Sequence, residues 1–268
     1  MTCINCSTEF EGKFCPNCGQ RANVKRISLR ESWTDFWSRV YGFDGMFPRT
    51  LTDLTIRPGV ASKRYIAGNR VMYYGPVGYF FLMITVCLLV FGMIGIDYFD
   101  FIKGMQKTIN QVSQSPAASV KISDYVQRLV ADNLKIFAFL IIPFEAFTAR
   151  YLIFRKSGFN FLEHSVLPFY MQGHLYWFII ILGMVYAGTG FASIVLISVV
   201  SVLYIAFGYA TMMTYQSKTK AFIKGIFLYL ISQTLFTFVV VVIALLVILG
   251  LYYFDPAAFD AIRPSNNR

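Results

Sequence analysis

The chain is poor in charge, poorer in acids, and nearly without histidine. Of its 268 residues 14% are charged, 14 are Asp or Glu and two are His. Soluble domains carry about 25% charged residues, so a deficit this deep excludes an ordinary water-facing globule. Three catalytic signatures are also missing: there is no HExxH, no GxSxG and no Walker loop. Glu163-His164 has no second histidine at i+4 and reads as a solvated or capping pair rather than a metal site. The first apolar run opens only near Gly75, so no cleavable signal peptide is expected.

What fills the chain instead is hydrocarbon. The sequence is 56% hydrophobic, and from residue 76 onward it falls into apolar runs near or above the ~20 residues a helix needs to cross a bilayer. Five spans are predicted, at about 76–96, 134–154, 166–187, 191–214 and 223–251. The expected fold is an all-α integral membrane protein with a small N-terminal zinc ribbon and amphipathic surface helices. Its divisions are a ribbon at 1–24, juxtamembrane helices at 25–75, the membrane domain at 76–254 and an external tail at 255–268.

The net charge of +10 clusters beside the apolar spans. Anionic headgroups are therefore the expected partner, with a protein partner, and no nucleic acid. The distribution also predicts orientation. Eleven of the 24 Lys and Arg precede the first span, and Arg150, Arg155, Lys156, Lys218, Lys220 and Lys224 fall on the same side; seven remain for the other. The positive-inside rule then places the N-terminus in the cytoplasm and the C-terminus outside.

Four of the five cysteines lie in the first 18 residues, as Cys3-x-x-Cys6 and Cys15-x-x-Cys18-Gly19. Two such knuckles supply four thiolates for one tetrahedral Zn2+. Some twenty residues cannot build a core, so metal binding would supply the folding free energy. Two disulfides would need an oxidising compartment, and a redox dithiol would need only one knuckle. With every ligand a cysteine, no position is left open, and the zinc is expected to be structural. Cys87, inside an apolar run, reads as a small core residue.

In the juxtamembrane stretch, Ser28-x-x-Glu31 is a capping box. Leu29, Trp33, Phe36, Trp37, Val40 and Tyr41 recur behind it at helical spacing, as an in-plane helix or one packed on the membrane domain. Further helical segments are expected from Thr50 to Ile56, ended by Pro58-Gly59, and from Val60 to Ala67, with Gly68-Asn69 as the stop. The stretch from Arg57 to Tyr79 is where the chain changes solvent: Arg57, Lys63, Arg64 and Arg70 precede Tyr73, Tyr74 and Tyr79. Arg64 and Arg70 are the candidates for binding phosphate headgroups or an acidic partner face; the plainer reading is positive-inside anchoring.

The residues Cys3 to Gln20, Asp44-Gly45, Pro58-Gly59, Tyr65-Ile66-Ala67-Gly68-Asn69-Arg70 and Pro76 together resemble the signature block of an uncharacterised family of bacterial multi-pass membrane proteins. In that family a CxxC…CxxCGQ ribbon precedes an aspartate-glycine turn, a Pro-Gly, a Tyr-Ile-x-Gly-(Lys/Asn)-Arg and a proline opening the first span. Asn69 stands where lysine is commoner. The resemblance implies the architecture and a bacterial inner membrane, and no activity.

Polar residues recur inside the spans. Glu145 lies about 13 Å from the inner end of the second, at 1.5 Å per residue, two residues after Pro143. A carboxylate there must be protonated, paired or hydrated. His174, Gln233, Tyr204 and Thr85 fall at similar depth in the other four spans, so each span is expected to offer one group to a shared polar layer. Three readings stay open: interhelical hydrogen bonding, a transport or proton-relay site with Glu145 and His174 as the titrating pair, and an intramembrane enzyme site. The expected role is a membrane-anchored scaffold or accessory protein, with a small proton-linked transporter as the alternative and enzymatic activity the less favoured reading.

Overall fold

The computed structural model describes residues 1–3, 6–19, 22, 46–70, 72–110 and 128–254. The helix expected behind Ser28, residues 111–127 and the tail at 255–268 lie outside them. The chain divides into two compact units, Met1–Gly45 and Met46–Arg268.

The second unit is helical throughout its regular structure. Two short helices, α1 (Met46–Ile56) and α2 (Pro58–Ile66), lead into α3 (Pro76–Met93). After α4 (Tyr98–Asn110) come α5 (Leu134–Phe147), which continues as a π-helix over Thr148–Ile153, and α6 (Phe161–Thr189). The last two are α7 (Ile194–Met212) and α8 (Lys218–Phe254). Among the described residues, five helices are long and apolar enough to cross a membrane: α3, α5 with its π-helical end, α6, α7 and α8. The chain is a membrane protein by that criterion.

The termini of these helices follow from local chemistry. Pro76 occupies the first turn of α3, where its missing N–H costs nothing. The third span starts five residues before its expected boundary because Asn160 and Glu163 form a reciprocal capping box. It ends at Gly190, whose φ of 70° is the left-handed C-cap conformation. Pro58 does not merely end α1. It sits at the start of α2, so one Pro-Gly closes one helix and opens the next.

α6 is the axis of the unit. It is the most enclosed span, packing against α3, α5 and α7, while α8 packs on α7 and α5. Gly173 makes the α3–α6 approach possible: a Cβ there would stand 3.0 Å from the Phe80 Cα. The core around it holds Tyr79, Phe80, Met83, Ile84, Ile142 and Tyr170. α8 lies at the opposite extreme, with Phe238, Ile243 and Leu246 exposed. Such an apolar surface suits a lipid environment. Beyond the spans, Phe101 of α4 is buried against Phe91 and Tyr186.

Candidate metal centre and intramembrane polar sites

The N-terminal unit is built from two copies of one turn. The Ser7 amide donates to the Cys3 carbonyl at 2.9 Å, and the Gly19 amide donates to the Cys15 carbonyl at 2.9 Å. Both closing residues have positive φ, 58° at Ser7 and 73° at Gly19. Glycine adopts that conformation freely and serine only at a cost. The first turn is held further by Cys3 N–H to Thr8 O at 3.0 Å and by an antiparallel bridge between Thr2 and Glu9.

These turns bring the sulfurs of Cys3, Cys6, Cys15 and Cys18 within 4.8 Å of one another. None of the four is in a disulfide. Across the knuckles, the sulfurs of Cys3 and Cys18 lie 3.5 Å apart and those of Cys6 and Cys15 3.6 Å apart. A tetrahedral ion with metal–sulfur bonds of about 2.3 Å requires sulfur separations of about 3.8 Å, so the cluster fits one metal ion after a small expansion. The Thr8 hydroxyl, 3.3 Å from Cys6 Sγ, and the Thr8 amide hold the Cys6 thiol down, to about 6. That favours the thiolate, the form that binds metal.

In the second unit, α1 and α2 form a hairpin against the spans. Gly59 packs on the α7 backbone at Gly208 and Met212 so closely that a Cβ could not be placed. Its N–H donates to Thr211 Oγ1 at 3.0 Å. Lys63 Nζ reaches Thr214 Oγ1 at 2.8 Å. Near the hairpin tip, Tyr204 of α7 donates its hydroxyl to the Leu54 carbonyl at 2.9 Å. Thr55 Oγ1 lies 3.1 Å from His174 Nε2 on α6. The juxtamembrane helices expected at the surface are therefore docked between α6 and α7, with Thr50, Asp53, Leu54, Ala61 and Ser62 buried.

A polar network fixes the hairpin to the start of α3. Tyr73 donates to Asp53 Oδ2 at 2.7 Å, and Arg57 Nε donates to Asp53 Oδ1 at 2.9 Å. Arg64 Nη1 donates to the Tyr73 hydroxyl at 3.3 Å. The Tyr74 amide donates to Thr50 Oγ1 at 2.9 Å, and Tyr170 of α6 donates to the Tyr74 carbonyl at 2.6 Å. Burial works against the Asp53 carboxylate, but the bonds from Tyr73 and Arg57 outweigh it and hold its carboxyl below the ordinary range. Of the two cations singled out in the sequence, Arg64 is tied into this network and half-exposed. Arg70 lies over the Tyr65 ring, 5.9 Å from its centroid.

Among the described residues, the five polar span residues are not joined in one network. His174 and Tyr204 come together, their rings stacked 5.5 Å apart. Tyr79 of α3 joins them, its hydroxyl 2.9 Å from His174 Nδ1. Both nitrogens of His174 are therefore engaged within this cluster. Glu145 belongs to another centre, where Gln172 Nε2 donates to its Oε1 at 2.6 Å. Gln172 and His174 are two residues apart on α6 and so face different ways, which separates the expected titrating pair. Gln233 neighbours the hydroxyl of Tyr229, with Ser201. Thr85 joins nothing: its hydroxyl donates to the Phe81 carbonyl one turn back, at 2.7 Å.

Asp53, Thr55 and Gln172 escaped the sequence reading, and Arg57 and Tyr79 entered it only as members of the stretch where the chain changes solvent. Asp53 and Arg57 carry an i,i+4 signal, and Gln172 is a polar residue in a span. Thr55 and Tyr79 carry no local sign of their role.

Residues 44–88 match a family described as "Protein of unknown function (DUF3667)". The match covers the hairpin, the Asp53–Tyr73 network and most of α3. No curated protein and no solved structure matches the chain.

Proposed function

We propose that this protein is a membrane-anchored scaffold or accessory protein of a bacterial cytoplasmic membrane, with its N-terminus cytoplasmic and its C-terminus external. Its ribbon holds a structural zinc ion. The ribbon and the cations around Arg64 and Arg70 contact a protein partner or anionic headgroups. The observation that carries this reading is the four-sulfur cluster, whose ligands are all cysteine and leave no coordination position for a substrate. A metal centre without an open position serves folding and contact. The test is crosslinking and recovery of partners from intact cells. Cys15→Ser should abolish that recovery while the spans remain inserted; an unchanged set of partners would refute the reading.

One observation favours a second reading, a small transporter. Glu145 is fully buried in α5, and its Oε2 has no hydrogen-bond partner among the described residues. Buried polar atoms in spans are costly and mark ion or proton pathways. Glu145→Gln should then change a pH-dependent flux or proton uptake in liposomes. Reconstituted protein that moves nothing, with a normally folded mutant, removes this reading.

A further inference from the structure

Hydroxyls in the described spans mostly satisfy themselves. Thr85, Ser201, Thr211, Ser232 and Thr234 each donate to a carbonyl three or four residues back. Thr148 does not. It is fully buried, yet its Oγ1 has no hydrogen-bond partner among the described residues. It lies three residues after Glu145, on the same helix face, where the α-helix gives way to the π-helix Thr148–Ile153. Such π-segments are concentrated at functional sites.

Two more oxygens share this condition. Glu145 Oε2 is buried without a partner, and so is the hydroxyl of Tyr209 on α7. Tyr209 of α7 packs in one core cluster with Ala149 of the π-segment, Phe154 and Leu228 of α8, and α8 also packs on α5 and its π-helical end, so α5, α7 and α8 meet around the segment that carries Glu145 and Thr148. The group is rigid. Gln172 fixes the other carboxylate oxygen, and the Tyr209 ring is stacked on Phe154 with centroids 5.0 Å apart. The nearest cation along the helix, Arg150, is directed to the Arg155 carbonyl at 3.3 Å.

We infer that Glu145 Oε2, Thr148 Oγ1 and Tyr209 Oη form a binding site for a small monovalent cation. The donor set is all oxygen, as hard cations require. Ionised, its carboxylate supplies one negative charge. A monovalent ion neutralises it, whereas a divalent ion would leave an uncompensated charge in a low-dielectric interior. The inference rests on the second functional reading only in sharing Glu145, because an ion can bind there without crossing the membrane.

Sodium is the probe. Purified full-length protein in detergent is unfolded thermally in NaCl, KCl or choline chloride at fixed ionic strength, and 22Na+ binding is measured alongside. Sodium should raise the apparent Tm saturably over choline, since a ligand bound only by the folded state stabilises it. Glu145→Gln should abolish the shift and the bound sodium. Thr148→Val and Tyr209→Phe should each weaken sodium binding tenfold or more, and Tyr209→Phe keeps the stack on Phe154 should Glu145→Gln fail to fold. No sodium-dependent shift in the wild type, or an equal shift in Tyr209→Phe and Thr148→Val, overturns the site. Stability that follows pH but not sodium also overturns it, making the occupant a proton. Sodium binding without flux in liposomes keeps the site and removes the transport reading. Flux without sodium binding does the reverse.

Discussion

Thr55 Oγ1, on a helix too short to cross a membrane, lies 3.1 Å from His174 Nε2, on the most enclosed span. The pairing places the hairpin tip against a span interior, where a hydrogen bond lost is not replaced by water. Thr55→Val and Tyr79→Phe each remove one bond from His174 and should lower apparent stability in detergent by about 1 kcal/mol. His174→Ala removes both bonds and the stack on Tyr204, and should cost more than either. Equal stability of all three variants would show that the hairpin does not dock on α6.

Asp53 gives the same hairpin a pH dependence. Its carboxyl is held below its ordinary value by Tyr73 and Arg57, against burial. A depressed carboxyl contributes stability that is fully present above the unfolded carboxylate pKa and is lost as pH falls through the folded one. Unfolding followed from pH 7 down into the acid range should therefore show stability falling below the ordinary carboxylate range. Asp53→Asn should be less stable at pH 7 and flatter across the acid range. A variant with the wild-type slope would assign the acid sensitivity elsewhere.

Gly59 tests the docking by steric means. Any Cβ there meets the backbone at Gly208 and Met212, which cannot move as a side chain can. Gly59→Leu should displace α2 from α7. With Lys63→Cys and Thr214→Cys in the background, a short bis-maleimide should crosslink the two positions when Gly59 is present. The yield should fall several-fold when leucine replaces it.

The ribbon makes a stoichiometric prediction. Full-length protein should carry one metal ion, released by a thiol-modifying reagent. Cys3→Ser or Cys15→Ser, each at a buried position, should reduce bound metal to near zero while leaving the helical content of the spans in place. Full metal content in both variants would rule out the four-sulfur site.

Orientation is tested by fusion. A reporter active only outside the cytoplasm should be active after Arg268 and inactive at the N-terminus. The opposite result would reverse the reading drawn from the lysines and arginines.

The sequence announced the spans because each is a long run with one solvent, and hydropathy alone finds such runs. It announced the four-cysteine cluster because two CxxC pairs state their geometry within 16 residues. It announced Glu145 and His174 as polar atoms in lipid, but depth along a helix carries no azimuth. Gln172 and His174 differ by two residues in depth and face different neighbours, so a layer counted along each span became separate clusters. The hairpin was illegible for another reason. Its partners Thr211, Tyr204 and His174 lie 119 to 152 residues away in the chain, and no local pattern in α1 or α2 names them.

That separation bears on how the protein is made. Synthesis runs from the N-terminus, so α1 and α2 emerge long before the helices that will hold them. Until α7 has been inserted, Gly59 has no surface to meet, and until α6 has been inserted the buried side of α1, Asp53 included, has only α2 and the start of α3. Long-range contacts of this kind form late, after a large loop has closed. The hairpin is then the last piece to seat, a wedge driven between α6 and α7 once both are in the bilayer, and a nascent chain cut short before α7 should leave it open to protease.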